Sequence, residues 1–232
     1  MSPLPKLDRT TPIAVVAAGR LGSSLAQALV GAGYTVVAVS SRRPDHRAWL
    51  ASRLEGAIVA ESAQTAANLA SVVFITAPDA LIAEICDSLD WRSHQAVLHC
   101  AGVLPVSTLN SAARQGAAIG GIHPLQTFPS PDSSDRLKDV SFAIEAENSD
   151  LLDWLRTLAT DLGGSPGEIE SRQRPAYHAS AVMACGLFAG LVGLAAEMWE
   201  PLGIDRDEAL KRLVPLIRST VDSLDQRGLP LA

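Results

Sequence analysis

Ala17-Ala18-Gly19-Arg20-Leu21-Gly22 lies between a run that reads as a buried strand, Ile13–Val16, and one that reads as a helix from Ser23 onward. A turn in that setting aims the free N–H groups of a helix N-terminus at an anion. Gly19 presents no side chain to a phosphate that must approach the backbone, and Gly22 lets the helix pack closely on the strand. Ala17 stands where the usual pattern has its first glycine. Alanine disfavours positive φ, so the turn is expected to be slightly altered. Ala18, Gly19, Arg20, Leu21 and Gly22 are the expected contacts to the diphosphate of a dinucleotide.

The run after the second strand, Ser40-Ser41-Arg42-Arg43, bears on which dinucleotide. An NAD site usually places a carboxylate about 20 residues past the glycines, where it accepts from the ribose 2′-hydroxyl. Here no acid occurs before Asp45. Hydroxyls and guanidiniums at Ser41, Arg42 and Arg43 suit a 2′-phosphate, so NADP is expected ahead of NAD. Ala77 and Pro78, in Thr76-Ala77-Pro78-Asp79 after the fourth strand, should also line the cofactor. His99-Cys100-Ala101-Gly102 follows the fifth strand, and His123-Pro124-Leu125-Gln126-Thr127-Phe128 ends the sixth. Ligands of open α/β sheets bind beyond the carboxyl ends of the strands. His123 is therefore placed to donate a proton or orient a substrate, with Gln126 and Thr127 as further polar contacts. His178 is the second candidate, because a polar ring at the head of an apolar helix needs a partner or a ligand. For both histidines the alternative is a structural role. Cys100 and Cys185 lack the spacing of a metal site or of a nucleophile with its base, and no metal is expected.

The elements that must position these groups alternate along the first 168 residues. Strand-like runs occur at 13–16, 34–39, 57–60, 71–76, 96–99, 117–122, 141–146 and 167–170, with helix-like runs between most of them. Strands that read as continuous apolar runs indicate a mainly parallel sheet covered on both faces. Two helices fill the remainder, the second opening on the cap-like Asp205-x-x-Glu208 and containing Pro215, which should kink it. A boundary near 170 follows, giving a dinucleotide-binding domain at 1–170 and a small all-α domain at 171–232. The polar, proline-rich segment Phe128–Lys138 reads as a surface loop or as the cover of a site.

Residues Pro175–Ala196 carry no charge and could cross a bilayer as a helix. They are rich in Ala and Gly and begin with Tyr177, His178 and Ser180, so the buried centre of a helical domain is the expectation, not a membrane span. A net charge of −6 and an aromatic content of 4% argue against nucleic-acid binding. The N-terminus has no signal-peptide pattern, and three scattered cysteines give no disulfide framework, so a cytoplasmic setting is expected.

Ala18–Gly22, Ser41-Arg42, Ala77-Pro78-Asp79, His123–Phe128 and Tyr177-His178-Ala179-Ser180-Ala181-Val182 occur in that order. The chain thereby resembles Rossmann-like proteins with a helical C-terminal domain of unassigned function. These fall in the 6-phosphogluconate dehydrogenase-like group, with ketopantoate reductases, pyrroline-carboxylate reductases and deazaflavin-dependent NADP oxidoreductases. The resemblance implies a Rossmann-type doubly wound sheet followed by helices, a homodimer through the helical part, and NADP-dependent oxidation or reduction of a small molecule. Relatives often carry Ser-Asn where this chain has Cys185-Gly186, and hydroxyacid-dehydrogenase cousins place a lysine on the long helix, which has none here. Relatives also continue with further helices where this sequence stops at Ala232. These departures favour the alternative expectation, a dinucleotide-binding sensor or scaffold without turnover.

Overall fold

Alternation of side chains to both sides of each strand decides the architecture. In strand β1 (Ile13–Val16), Ile13 and Val15 enter one core layer while Ala14 and Val16 enter the other. All four are fully buried, as a strand covered on both faces requires. The computed structural model describes residues 4–229. It divides into two units, one ending at Tyr177 and the next beginning at His178.

The first unit is built on one eight-stranded sheet in the order β3-β2-β1-β4-β5-β6-β7-β8. β2 is Val36–Ser40, β3 Ile58–Ala60, β4 Val72–Ile75, β5 Ala96–His99, β6 Ala118–Pro124, β7 Ser141–Ala146 and β8 Ser165–Glu168. The first six strands run parallel, β7 returns antiparallel to β6, and β8 lies parallel to β7. Helices α1 (Arg20–Gly31), α2 (Pro44–Ala51), α3 (Ala63–Asn68), α4 (Asp79–Asp87), α5 (Asn110–Arg114) and α6 (Ser149–Asp161) connect the strands. This is the expected Rossmann-type order, in which the strand sequence reverses at β1 and opens a crevice beyond β1 and β4.

Local chemistry accounts for the element ends. α1 stops at Ala32, and Gly33 takes φ +83°, the left-handed conformation glycine adopts without strain. α6 starts where the Asn148 side chain accepts from the Leu151 amide at 2.9 Å, and buries Leu151, Trp154, Leu155 and Leu158. α3 is a helix that the apolar periodicity does not announce. It is capped by Ser62 and buries only the small Ala66 and Ala67, which leave little hydrophobic contrast to read. Between β5 and β6 the chain forms a 3₁₀ turn at Val106–Leu109 running into α5.

Helix α7 (Arg174–Val182) begins in the first unit and ends in the second, where a π-helical turn (Met183–Leu187) and α8 (Phe188–Glu197) follow in succession, and α9 spans Arg206–Arg227. α9 opens as expected, with the Asp205 side chain accepting from the Glu208 amide at 3.0 Å. It continues through Pro215. The apolar segment is not the buried centre of a helical domain. Met183, Leu187, Leu191, Leu194 and Met198 are all exposed. The reason is geometric: α8 packs against α9, and one helix covers only one side of another. The Arg174–Leu202 stretch is long and apolar enough to cross a membrane by length and composition.

Gly22 illustrates how tightly α1 sits on the sheet. A Cβ there would lie 2.1 Å from the Thr76 hydroxyl oxygen and 3.2 Å from a Val15 methyl. Gly22→Ala should lower the unfolding free energy by about 1–3 kcal/mol in urea denaturation. Gly31→Ala, where a Cβ meets nothing, should leave it unchanged or raise it. Equal stability of the two variants would contradict the close packing.

Candidate functional site

A cleft of about 760 Å³ opens at the reversal point of the sheet. Its floor is Val16-Ala17-Ala18-Gly19-Arg20, and its sides carry Ser41, Arg42, Arg43, Ala77 and Pro78. Ala17 has φ 57°, so the alanine itself occupies the left-handed region that a glycine would favour. The turn is held by the Ser40 hydroxyl, which accepts from the Ala17 amide at 3.2 Å, and the Ser40 carbonyl, which accepts from the Ala18 amide at 2.8 Å. On the other side the Thr76 hydroxyl donates to the Val16 carbonyl at 3.1 Å.

Two observations show that the cleft suits an anionic cofactor. The N-terminus of α1 has no capping side chain and no acid in its first turn, so its leading N–H groups and positive dipole end face outward uncompensated. A Cβ on Gly19 would meet no protein atom within 4 Å. The protein's own packing thus leaves space above Gly19 for a phosphate. Leu21 and Gly22 do not line the cleft; Leu21 packs against the core, and only the backbone of these residues belongs to the helix end.

Three side chains absent from the sequence reading shape the rim. Arg47 donates to the carbonyls of Ser41 and Arg42, both at 3.0 Å, and so fixes the loop that follows β2. His46 lines the cleft, with Nε2 3.0 Å from the Ser23 hydroxyl and its ring stacked on Trp49. Pro131 reaches the cleft from the Phe128–Lys138 segment. That segment is anchored on α1, its Pro131 carbonyl accepting from Gln27 at 2.9 Å and its Ser133 amide donating to Ser24 at 3.1 Å. Arg43 is tied to Asp45, whereas Arg42 has no carboxylate partner among the described residues.

Further along the same sheet edge, the ends of β5 and β6 bring histidines together. His123 Nδ1 lies 2.8 Å from the Tyr177 hydroxyl, with the rings edge to face. Burial raises the Tyr177 pKa, so the phenol stays protonated. A phenol that donates to Nδ1 places the proton of neutral His123 on Nε2. His99 is wholly buried, and its Nδ1 accepts from the Ala101 amide at 3.2 Å. Burial first, and then the nearby Arg174 guanidinium, push its pKa down to about 4. Gln126 and Thr127 are exposed, the Thr127 amide donating to the Gln126 side chain at 2.8 Å. His178 is the first residue of the second unit.

Sequence and structure comparisons agree with this geometry. Residues 12–101 match the family described as "NADP oxidoreductase coenzyme F420-dependent". Residues 140–232 match a domain of unknown function, DUF2520. The N-terminal part of the chain is thus similar to NADP oxidoreductases and its C-terminal part to DUF2520. A Bacteroides fragilis protein described as a candidate NADP oxidoreductase is 26% identical, with a TM-score of 0.75 over 95% of this chain and 83% of its own. Protein TM1727 of Thermotoga maritima, 22% identical, has a TM-score of 0.71 over 93% of this chain and 80% of its own. A 1-pyrroline-5-carboxylate reductase of Streptococcus pyogenes shares the fold, at 17% identity and a TM-score of 0.72 over 96% and 83% of the two chains. No curated protein matches the sequence.

The buried His99 should make the first unit sensitive to acid. Its folded pKa lies below the ordinary histidine value of 6.5, so between pH 6.5 and about 4 the unfolded chain takes up a proton that the folded one refuses. Stability should fall by roughly 3 kcal/mol as pH drops through that window. His99→Gln should lose this slope in urea unfolding measured against pH. An unchanged slope would show that His99 binds its proton as readily in the fold as in the unfolded chain.

Proposed function

We propose that the protein is an NADP-dependent oxidoreductase acting on a small molecule with a reducible carbonyl or imine group. The observation that carries this reading is the uncapped α1 N-terminus beneath an open space at Gly19, with Arg42 beside it. The amides of Arg20, Leu21 and Gly22 would hold the diphosphate, and Ser41 and Arg42 the 2′-phosphate. Arg43 has a smaller part because Asp45 already pairs with it. Ala77 and Pro78 supply an apolar wall. Reduced nicotinamide supplies a hydride when bound. His123 is the group that gives or takes the matching proton, through Nε2, while Tyr177 fixes its ring and tautomer. The reductases among the similar structures, including a reductive aminase of Aspergillus terreus in complex with NADPH, are in keeping with an NADP-linked reading.

Gly19→Leu would fill the space above the turn and should abolish NADPH binding in calorimetric titration without lowering stability. Arg42→Ala should weaken NADPH about ten- to a hundredfold, the equivalent of one charged hydrogen bond, and change NADH little. Equal weakening of both would remove Arg42 from phosphate recognition.

The reading extends to assembly and setting. The apolar face of Met183, Leu187, Leu191, Leu194 and Met198 is covered by a second copy of the chain, in a soluble cytoplasmic homodimer. Exposed apolar faces of this extent mark interfaces, and obligate dimers bury such surface. Sedimentation should give the mass of a dimer without detergent. Protein that pellets with membranes would favour the bilayer instead.

A further inference from the structure

One fully buried cation lies outside the cofactor cleft. Arg174, the first residue of α7, is 0% exposed. Its Nε donates to Glu145 Oε2 at 2.6 Å, and Nη1 donates to the carbonyl of Ala101 at 3.1 Å and approaches that of Gly102 at 3.5 Å. The other Glu145 oxygen accepts from the Ser171 amide at 2.8 Å and the Ser171 hydroxyl at 2.5 Å. The carboxylate is thus committed on both sides to the segment leading into α7.

The sheet register explains how a guanidinium fits there. His99 of β5 stands opposite Gly121 of β6, and Gly121 stands opposite Glu145 of β7. The three form one row on one face of the sheet. The middle member has no side chain. A Cβ on Gly121 would lie 2.9 Å from Arg174 Nη2 and 3.2 Å from His99 Cε1. The guanidinium occupies the place a side chain would take.

This seat connects to both halves of the proton-handling pair. His123 is two residues beyond Gly121 on β6 and shares its face. Tyr177 is three residues beyond Arg174 on α7 and shares its helical face. Arg174 also grips the carbonyl side of Ala101, whose amide His99 holds. The loop at the carboxyl end of β5 is therefore held from both ends.

We propose that Arg174, seated over Gly121 and paired with Glu145, is a positioning residue that sets the first turn of α7 so that Tyr177 meets His123. The proposal rests on the reading of His123 and Tyr177 as the proton-handling pair. It requires the planar fork of arginine, because a lysine ammonium cannot reach Glu145 and the Ala101 and Gly102 carbonyls together.

Imidazole nitrogen NMR of the full chain without coenzyme tests it. Tyr177→Phe should shift the His123 nitrogen signals and their titration with pH. Arg174→Lys keeps the positive charge and Gly121→Ala leaves both residues of the pair in place, yet each should reproduce most of that shift. The double variant Arg174→Lys, Tyr177→Phe should then differ little from Tyr177→Phe alone. His123 signals that stay at their unaltered positions in folded Arg174→Lys or Gly121→Ala, or effects that simply add, would overturn the proposal. The unaltered protein gives a check that no variant can confound. The Arg174 side-chain N–H should be strongly protected from solvent exchange, and rapid exchange would equally overturn it. All these readouts are taken without coenzyme, so they stand apart from whether NADPH binds, which tests the functional reading itself.

Discussion

An unpaired positive helix end at the point where the sheet order reverses is the constraint around which the first unit is arranged. α1 begins at Arg20 with no capping side chain and no acid in its first turn. Free N–H groups at a helix end ordinarily find a side chain, water or a ligand. Here the surroundings keep the end open. Ser40 and Thr76 pin the turn from either side, Ala17 bears a left-handed backbone, and Gly22 brings the helix down onto Thr76. Each of these features costs stability or restricts sequence, and together they present one uncrowded set of amides to the cleft.

Charge around the cleft follows the same logic. The protein is acidic overall, with a net charge of −6, yet Arg20, Arg42 and Arg43 line this cleft. Glu61 and Glu84 also line it, and Arg47 lies 3.8 Å from Glu61 while donating to the loop backbone. Arg47 thus shapes the loop that presents Arg42. The second polar centre, at the ends of β5 to β7, works differently. Its arginine is buried and its carboxylate half-buried, and a buried charge persists only where partners compensate for lost water. Glu145 and Arg174 supply one another, with Ser171 and backbone carbonyls as further partners, while Arg174 Nη2 is buried without a hydrogen-bond partner among the described residues.

Much of this was legible in the sequence where a local rule governs the outcome. Continuous apolar runs located the strands, and the glycine turn located the cleft, because strand burial and phosphate approach leave short-range marks. The alanine at 17 was visible as a departure, and the structure shows that it adopts the glycine conformation without a change of architecture. What escaped depends on residues far apart in the chain. The Glu145–Arg174 pair spans 29 residues, and His123 meets Tyr177 across 54. One signal was present: Gly120-Gly121 inside an otherwise apolar strand marks a close approach, since glycine weakens a strand unless something needs the space. Arg174, the last charge before a long uncharged helix, was the other half of that signal. The apolar helix was misjudged for a related reason. Periodicity shows that a face is apolar but not whether this chain covers it, and here the chain leaves it exposed.

The most direct measurement is a crystal structure grown with NADPH. The account predicts a diphosphate within hydrogen-bonding distance of the amides that open α1, with the 2′-phosphate beside Arg42. Nucleotide bound elsewhere, or the amides of Arg20 to Gly22 facing no phosphate in a fully occupied complex, would contradict it.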